Sequence, residues 1–380
     1  MSRVEAVRAV LRRQRPKSFV FAPNCWQWFQ HQKNRSLPAG LANCDTQFDM
    51  LRRLDADIFS RSLATDQHRE WFGGLCDIRF DGRVRCSVDE YADHQDRVIL
   101  HTFTTPKGTL TERRRYVWEQ STLVQEKFLV EDLDRDLDAL EEIVAARRWT
   151  FDTRRYRALE RQVGDAGLAI AGELYSPLKL LHWSMGPVLT SYFIADAPER
   201  AAAIMAAHEA AMLELTRDIV AARVPVVMSM DNLDVLFHPP RQVERYSASF
   251  YERASRICHD AGSCFFIHAC GKQRANLRLI SSLGVDGLEG VAFPTLGDTE
   301  LDHAMELSGD RFLITGGISA LEFERLSTRD DVFRYVEELF ARMRPYAHRF
   351  VFSSSCNTPY NASWQAIEHF RDAWRAFGGL

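Results

Sequence analysis

Residues 263–289 read SCFFIHACGKQRANLRLISSLGVDGLE. Two short apolar runs in this stretch, Ser263–His268 and Val285–Glu289, flank Gln273–Leu283, where apolar residues recur at helical spacing. Apolar runs without polar alternation mark parallel strands buried on both faces. The same grammar extends outward. Strand-like runs occur at Ser18–Ala22, Ala56–Ser60, Leu168–Glu173 and Val224–Met230 before it, and at Arg311–Thr315 and Arg349–Ser353 after it. Helical patterns fill the later intervals at Pro198–Ala222, Pro240–Ala261, Thr299–Ser308, Ala320–Tyr346 and Asn361–Phe377. Eight strands alternating with helices imply an α/β fold, a single (β/α)8 TIM barrel spanning residues 1–380. An open doubly wound sheet is the second reading, but no GxGxxG follows the first strand.

One stretch breaks the rhythm. Cys76–Arg115 carries turn signals at Asp81-Gly82 and Pro106-Lys107-Gly108. It predicts two β-hairpins, a small antiparallel insertion over residues 76–115 between the second and third barrel strands. A charged helix over Glu131–Arg148 follows, and its run EDLDRDLDALEE reads as a solvated face. The N-terminal MSRVEAVRAVLRRQRPK is Arg-rich and amphipathic but has no apolar signal core, so it is read as a leading helix.

A chain of 380 residues is two domains by default, although a barrel routinely runs this long as one. Its 46% hydrophobic and 26% charged residues exclude a disordered chain. The net charge of −4, from 48 basic and 52 acidic residues, leaves no basic footprint for nucleic acid. No apolar stretch approaches the roughly 18 residues of a membrane span. The expectation is a cytoplasmic protein whose eight cysteines are thiols, serving as small hydrophobes or as metal ligands. The Ala-rich Pro198–Ala222 pattern suits packing on the barrel or on a second subunit, which leaves a homodimer open.

The C-terminal ends of barrel strands point into the active site. Here they carry Asn24, Arg61, Glu173 with Tyr175, Asp231 with Asn232, His268 with Cys270, Glu289, Thr315-Gly316-Gly317 and Ser353–Cys356. Nearly all are polar, titratable or glycine. His268-Ala269-Cys270-Gly271 is a weak signal alone, but Glu289 ends the next strand and Cys356 follows the last in SSSCNTP. One imidazole, two thiolates and a carboxylate suit tetrahedral zinc. Neither thiolate belongs to a CxxC pair, so a zinc ribbon is excluded, and ligands on separate strand ends look catalytic. Trp26, Trp28 and Phe29 beside Asn24, and Trp183 after Tyr175, suit a flat apolar ligand or a packed rim. Asp231 is a candidate for orienting substrate or handling a proton, with Asp234 and His238 bordering the same pocket; the competing role for Asp231 is a cap.

Taken together the chain resembles the uroporphyrinogen decarboxylase superfamily, and within it the zinc methyltransferases that serve corrinoid proteins. The resemblance is carried by Ile267–Gly271, GVDGLE, LITGGI at Leu313–Ile318 and SSSCNTP, with TPKGTL at Thr105–Leu110, LDADIFSR at Leu54–Arg61 and MSMDNLDVLFHPP at Met228–Pro240. It runs from about residue 18 to the C-terminus. The ligand order is also similar to that of cobalamin-independent methionine synthase. The resemblance implies zinc on His268, Cys270, Glu289 and Cys356, and a corrinoid on a separate partner protein. The strand-end reading itself offers substrate contacts at Asn24, Trp26, Arg61, Glu173, Tyr175, Asn232 and His238. The arginine-rich segment that follows the first strand in true decarboxylases is absent; APNCWQWFQHQKNR stands there.

The implied activity is methyl transfer between a small methylated substrate and cobalt. Aryl methyl ether demethylation is favoured, with zinc as Lewis acid on the ether oxygen. The alternatives are a thiol methyltransferase working through a zinc thiolate, a metal-free decarboxylase, and a zinc-bearing sensor without turnover.

Overall fold

Seven parallel strands form one hydrogen-bonded sheet in a computed structural model that describes every residue except 1, 62, 67, 71 and 295. In chain order they are Val20–Phe21, Ala171–Leu174, Val226–Met230, Cys264–His268, Gly287–Val291, Leu313–Ile318 and Phe350–Ser354. Each of the last six pairs with its sequence neighbour, and Phe350–Ser354 returns to pair with Val20–Phe21. This mixed α/β arrangement is consistent with a (β/α) barrel.

The expected second strand, Ala56–Ser60, is not a regular strand. It makes one parallel bridge, Ile58 with Gly167, while the Asp57 N–H donates to the Phe21 carbonyl at 2.7 Å. The reason is local. The Asp57 carboxylate takes the Phe21 N–H at 2.9 Å, where a ladder would use a backbone carbonyl. The segment still reaches both neighbours, since the Ile58 N–H donates to Ala166 and the Leu168 N–H to Ile58.

Two cores result. One apolar cluster joins Val20, Phe59, Ile170, Val226, Phe266, Leu313 and Val351 from successive strands, with Val7 and Val10 of the leading helix Arg3–Leu11 packed on it. A larger cluster lies between the sheet and the surrounding helices. The inner residues alternate with outer ones along each strand, so both faces are buried, which explains the unbroken apolar runs.

The insertion differs from expectation in extent. Arg85–Asp93, Asp96–Thr105, Gly108–Val117 and Thr122–Lys127 form a four-stranded antiparallel meander that runs beyond residue 115. Cys76–Phe80 pairs not with a hairpin partner but with Arg147–Phe151, after the charged helix Leu133–Ala146. The Asp81-Gly82 turn forms, with the Val84 N–H donating to Asp81, but it joins two sheets. Among the described residues no helix is long and apolar enough to cross a membrane.

Candidate metal centre

His268 is the last residue of its strand, and Glu289 stands beside it in register on the next. Past His268 the chain turns so that Asp231 and Asn232 donate their N–H groups to the His268 carbonyl, while the Ala269 N–H donates to Glu289. Gly290 lets the flanking loops close in. A Cβ there would sit 2.5 Å from the Ala269 oxygen and 2.8 Å from the Ser355 oxygen, and its φ is +114°. These two loops carry Cys270 and Cys356.

The result is convergence. His268, Cys270 and Cys356 each offer one ligand atom, and these atoms lie within 4.8 Å of one another. His268 Nδ1 is hydrogen-bonded to Glu289 Oε2, which leaves Nε2 to face the sulfurs, and the ring hydrogen-bonds Cys356. A hydrogen bond from Cys270 holds the Cys356 thiol well below the usual thiol range, against burial and with help from Arg61. The Cys270 thiol is correspondingly raised. One imidazole and two sulfurs fit a borderline-soft divalent ion and zinc above all.

Glu289, expected as a fourth ligand, is not in the convergent set among the described residues. Arg61 Nη1 donates to both its oxygens, at 2.7 and 2.8 Å, and His268 takes one of them. Its position is that of a carboxylate orienting a metal-binding imidazole. Arg61 in turn donates through Nη2 to Cys356 Sγ at 3.3 Å and to Asn357 Oδ1 at 3.2 Å.

Residues 130–377 match the family described as Uroporphyrinogen decarboxylase (URO-D). The chain belongs to the uroporphyrinogen decarboxylase family. No curated protein matches it. Among solved structures it is similar to a methyltransferase from Methanosarcina mazei, with a TM-score of 0.61 and 11% identity over 99% of both chains. A match to D-psicose 3-epimerase from Clostridium cellulolyticum H10 covers 60% of this chain and 86% of that one at 10% identity. Its TM-score of 0.39 bears no argument, and at such identities the first likeness speaks to the fold alone.

A cavity of about 360 Å³ opens onto this family member's ligand cluster, walled by Trp26, Arg61, Phe72, Lys179, Trp183 and Asn232 among others. Trp26 is fixed by its Nε1–H donating to Asn357 at 2.8 Å. Asn24 lies behind the wall, bonding the Cys356 carbonyl and Asn357, both at 3.0 Å. Trp28 and Phe29 are core residues. Glu173 and Tyr175 line a neighbouring, larger cavity instead.

Two of the candidate residues lie away from this cavity. Asp231 is fully buried and does not line the metal cavity; its oxygens accept the Ser176 N–H at 2.7 Å and the Ser229 hydroxyl at 2.6 Å. That ties two strand ends together. His238 is buried against the His182 ring, centroids 4.6 Å apart, and its carbonyl accepts from the Asn276 amide at 2.9 Å. Lys179 was not legible in the sequence. It lies inside the helix Pro177–Asp196, and only the fold aims it at the site, where burial lowers its pKa against the pull of Asp231 and Cys270.

Proposed function

We propose that this protein is a zinc-dependent methyltransferase that moves a methyl group between a small methylated substrate, preferably an aryl methyl ether, and the cobalt of a separate corrinoid protein. We infer a barrel of eight strand positions, with Ala56–Ser60 as the irregular one and the meander as an insertion beside the rim. The single observation that carries the reading is the meeting of His268, Cys270 and Cys356 ligand atoms within 4.8 Å at the strand ends. The fold likeness to a methyltransferase, over the whole chain, accords with it.

Zinc bound there supplies Lewis acidity toward a substrate oxygen, or keeps a substrate thiol ionised. The chain's own residues do the rest. Glu289 fixes the His268 ring so that Nε2 faces the sulfurs, and Arg61 holds Glu289 and Cys356 in one charged cluster. Trp26, Phe72 and Trp183 give the cavity apolar walls that exclude water and take a flat group. Decarboxylation of a porphyrinogen is disfavoured. The Arg61 guanidinium is already engaged by Glu289, which leaves Lys179 as the one cation without an ion pair among the described residues lining this cavity, too little to cradle a polycarboxylate.

The test is elemental analysis of the full chain and of Cys356→Ala, followed by methyl transfer to a corrinoid acceptor. One zinc per chain, lost in the variant, together with transfer from an ether, is the expected result. A zinc-free wild type would end the metal reading.

A further inference from the structure

The larger cavity, about 910 Å³, lies between the sheet rim and the antiparallel meander, walled by Phe103, Trp149, Tyr175 and Trp183. It shares Glu70, Phe72 and Trp183 with the metal cavity, so the two spaces adjoin. Two carboxyl groups face the same glycine there, Glu70 at the junction and Glu173 on the wall of the larger cavity. A Cβ on Gly73 would stand 3.2 Å from Glu173 Oε2 and 3.3 Å from Glu70 Oε2. Glu173 Oε1 accepts the Leu75 N–H at 3.1 Å, and the Cys76 thiol bonds the same carboxyl.

No ion pair holds either carboxyl among the described residues. The charged groups that face them are Asp66, Arg69, Arg114 and Arg155. Arg69 pairs with Glu90, Arg114 with Glu112 and Arg155 with Asp77, at 2.9, 2.7 and 2.7 Å. Such surroundings favour the neutral acid: burial, with Asp66 acting on Glu70, pushes both carboxyls up to about 7.

We propose that Glu70, which lines the cavity beside His268 and Cys356, is the acid that protonates the donor oxygen as it leaves the metal centre, with Glu173 behind it and the donor's flat body lying toward the aromatic cavity. This rests on the ether reading above. The bond from methyl carbon to oxygen breaks, and its electron pair stays on oxygen. A reduced corrinoid brought by a partner would supply the electron pair for the new bond to carbon. The oxygen takes the Glu70 proton and departs as a phenol, and Glu70 regains a proton from water through the larger cavity. A phenolate, with a proton affinity near that of tyrosine at about 10, draws a proton readily from a carboxyl near neutrality. Glu173 is the positioning residue, since two adjacent carboxylates resist ionising together.

The zinc-loaded full chain is assayed with reduced cobalamin and two donors, anisole and 4-nitroanisole, the second of which releases a phenolate that needs no proton. Glu70→Gln should slow anisole on the order of 10²-fold or more and 4-nitroanisole by less than about threefold. Infrared difference spectra between wild type and Glu70→Gln or Glu173→Gln, without corrinoid, should show a carboxylic acid band near neutral pH. Equal losses on both donors, no loss on either, or no acid band overturns the pair. A wild type with the band that demethylates neither ether overturns the ether reading, and the donor role falls with it.

Discussion

Arg61 Nη1 contacts both oxygens of Glu289, at 2.7 and 2.8 Å, with the two side chains only 5% and 3% exposed. A buried pair of this kind owes its worth to completeness, because removing one partner strands the other charge at a cost of about 3–5 kcal/mol. Arg61→Met should therefore lower the urea midpoint. It should also weaken zinc binding about 10–100-fold, since Glu289 would no longer be held against His268. Arg61→Lys keeps the charge but not the fork, and should fall between. Unchanged zinc affinity in Arg61→Met would remove Glu289 from any orienting role.

Asp231 offers a contrasting case. Both its oxygens are acceptors, from the Ser176 N–H and the Ser229 hydroxyl, in a site with no exposure. Asp231→Asn turns one acceptor into an NH2 facing a donor. The expected outcome is a stability loss of about 1–3 kcal/mol with zinc content intact. A variant of wild-type stability whose turnover alone is impaired would return Asp231 to the chemistry.

What was legible in the sequence was what depends on local pattern. Short apolar runs located the seven regular strands, because burial on both faces leaves no polar alternation, and the His268, Cys270 and Cys356 set followed from reading their ends. What depended on tertiary placement was not. Ala56–Ser60 has the composition of a strand, but Asp57 replaces a ladder bond with a side-chain bond. Whether Glu289 faces the metal or the back of His268 turns on Arg61, 228 residues away. Asp231 sits where a catalytic carboxylate would, yet its side chain points into the structure. Lys179 and Glu70 carry no motif at all; the fold alone brings them to the rim.

Asp57 also gives stability a pH dependence. Burial pushes its carboxyl up to about 6 in the folded state, against the Phe21 N–H and Arg3, from a value near 4 unfolded. The folded chain thus holds a proton that the unfolded chain has released across that window. Its contribution is fully present below about pH 4 and lost as pH rises through about 6, at most about 3 kcal/mol. Asp57→Asn keeps an acceptor for Phe21 and should flatten this part of the decline in urea midpoint between pH 4 and 6. An identical slope in wild type and variant would place the titration elsewhere.

Gly290 is the sharpest test of how the two cysteine loops are brought together. Its φ of +114° is one that side chains rarely adopt, and an added Cβ would press on the Ala269 and Ser355 carbonyls from between. Backbone cannot rotate out of the way as a flexible side chain can. Relief has to come from parting the loops that precede Cys270 and Cys356. Gly290→Ala should thus cost stability by about 1–3 kcal/mol and, separately, loosen zinc, since the sulfur atoms must move apart. Conservative strain elsewhere would lower the melting temperature without touching metal affinity, so zinc titration at a temperature where the variant is folded separates the two effects. Full-strength zinc binding in a folded Gly290→Ala would mean that the loops meet without the glycine, and that the ligand atoms are held together from the Arg61 side alone.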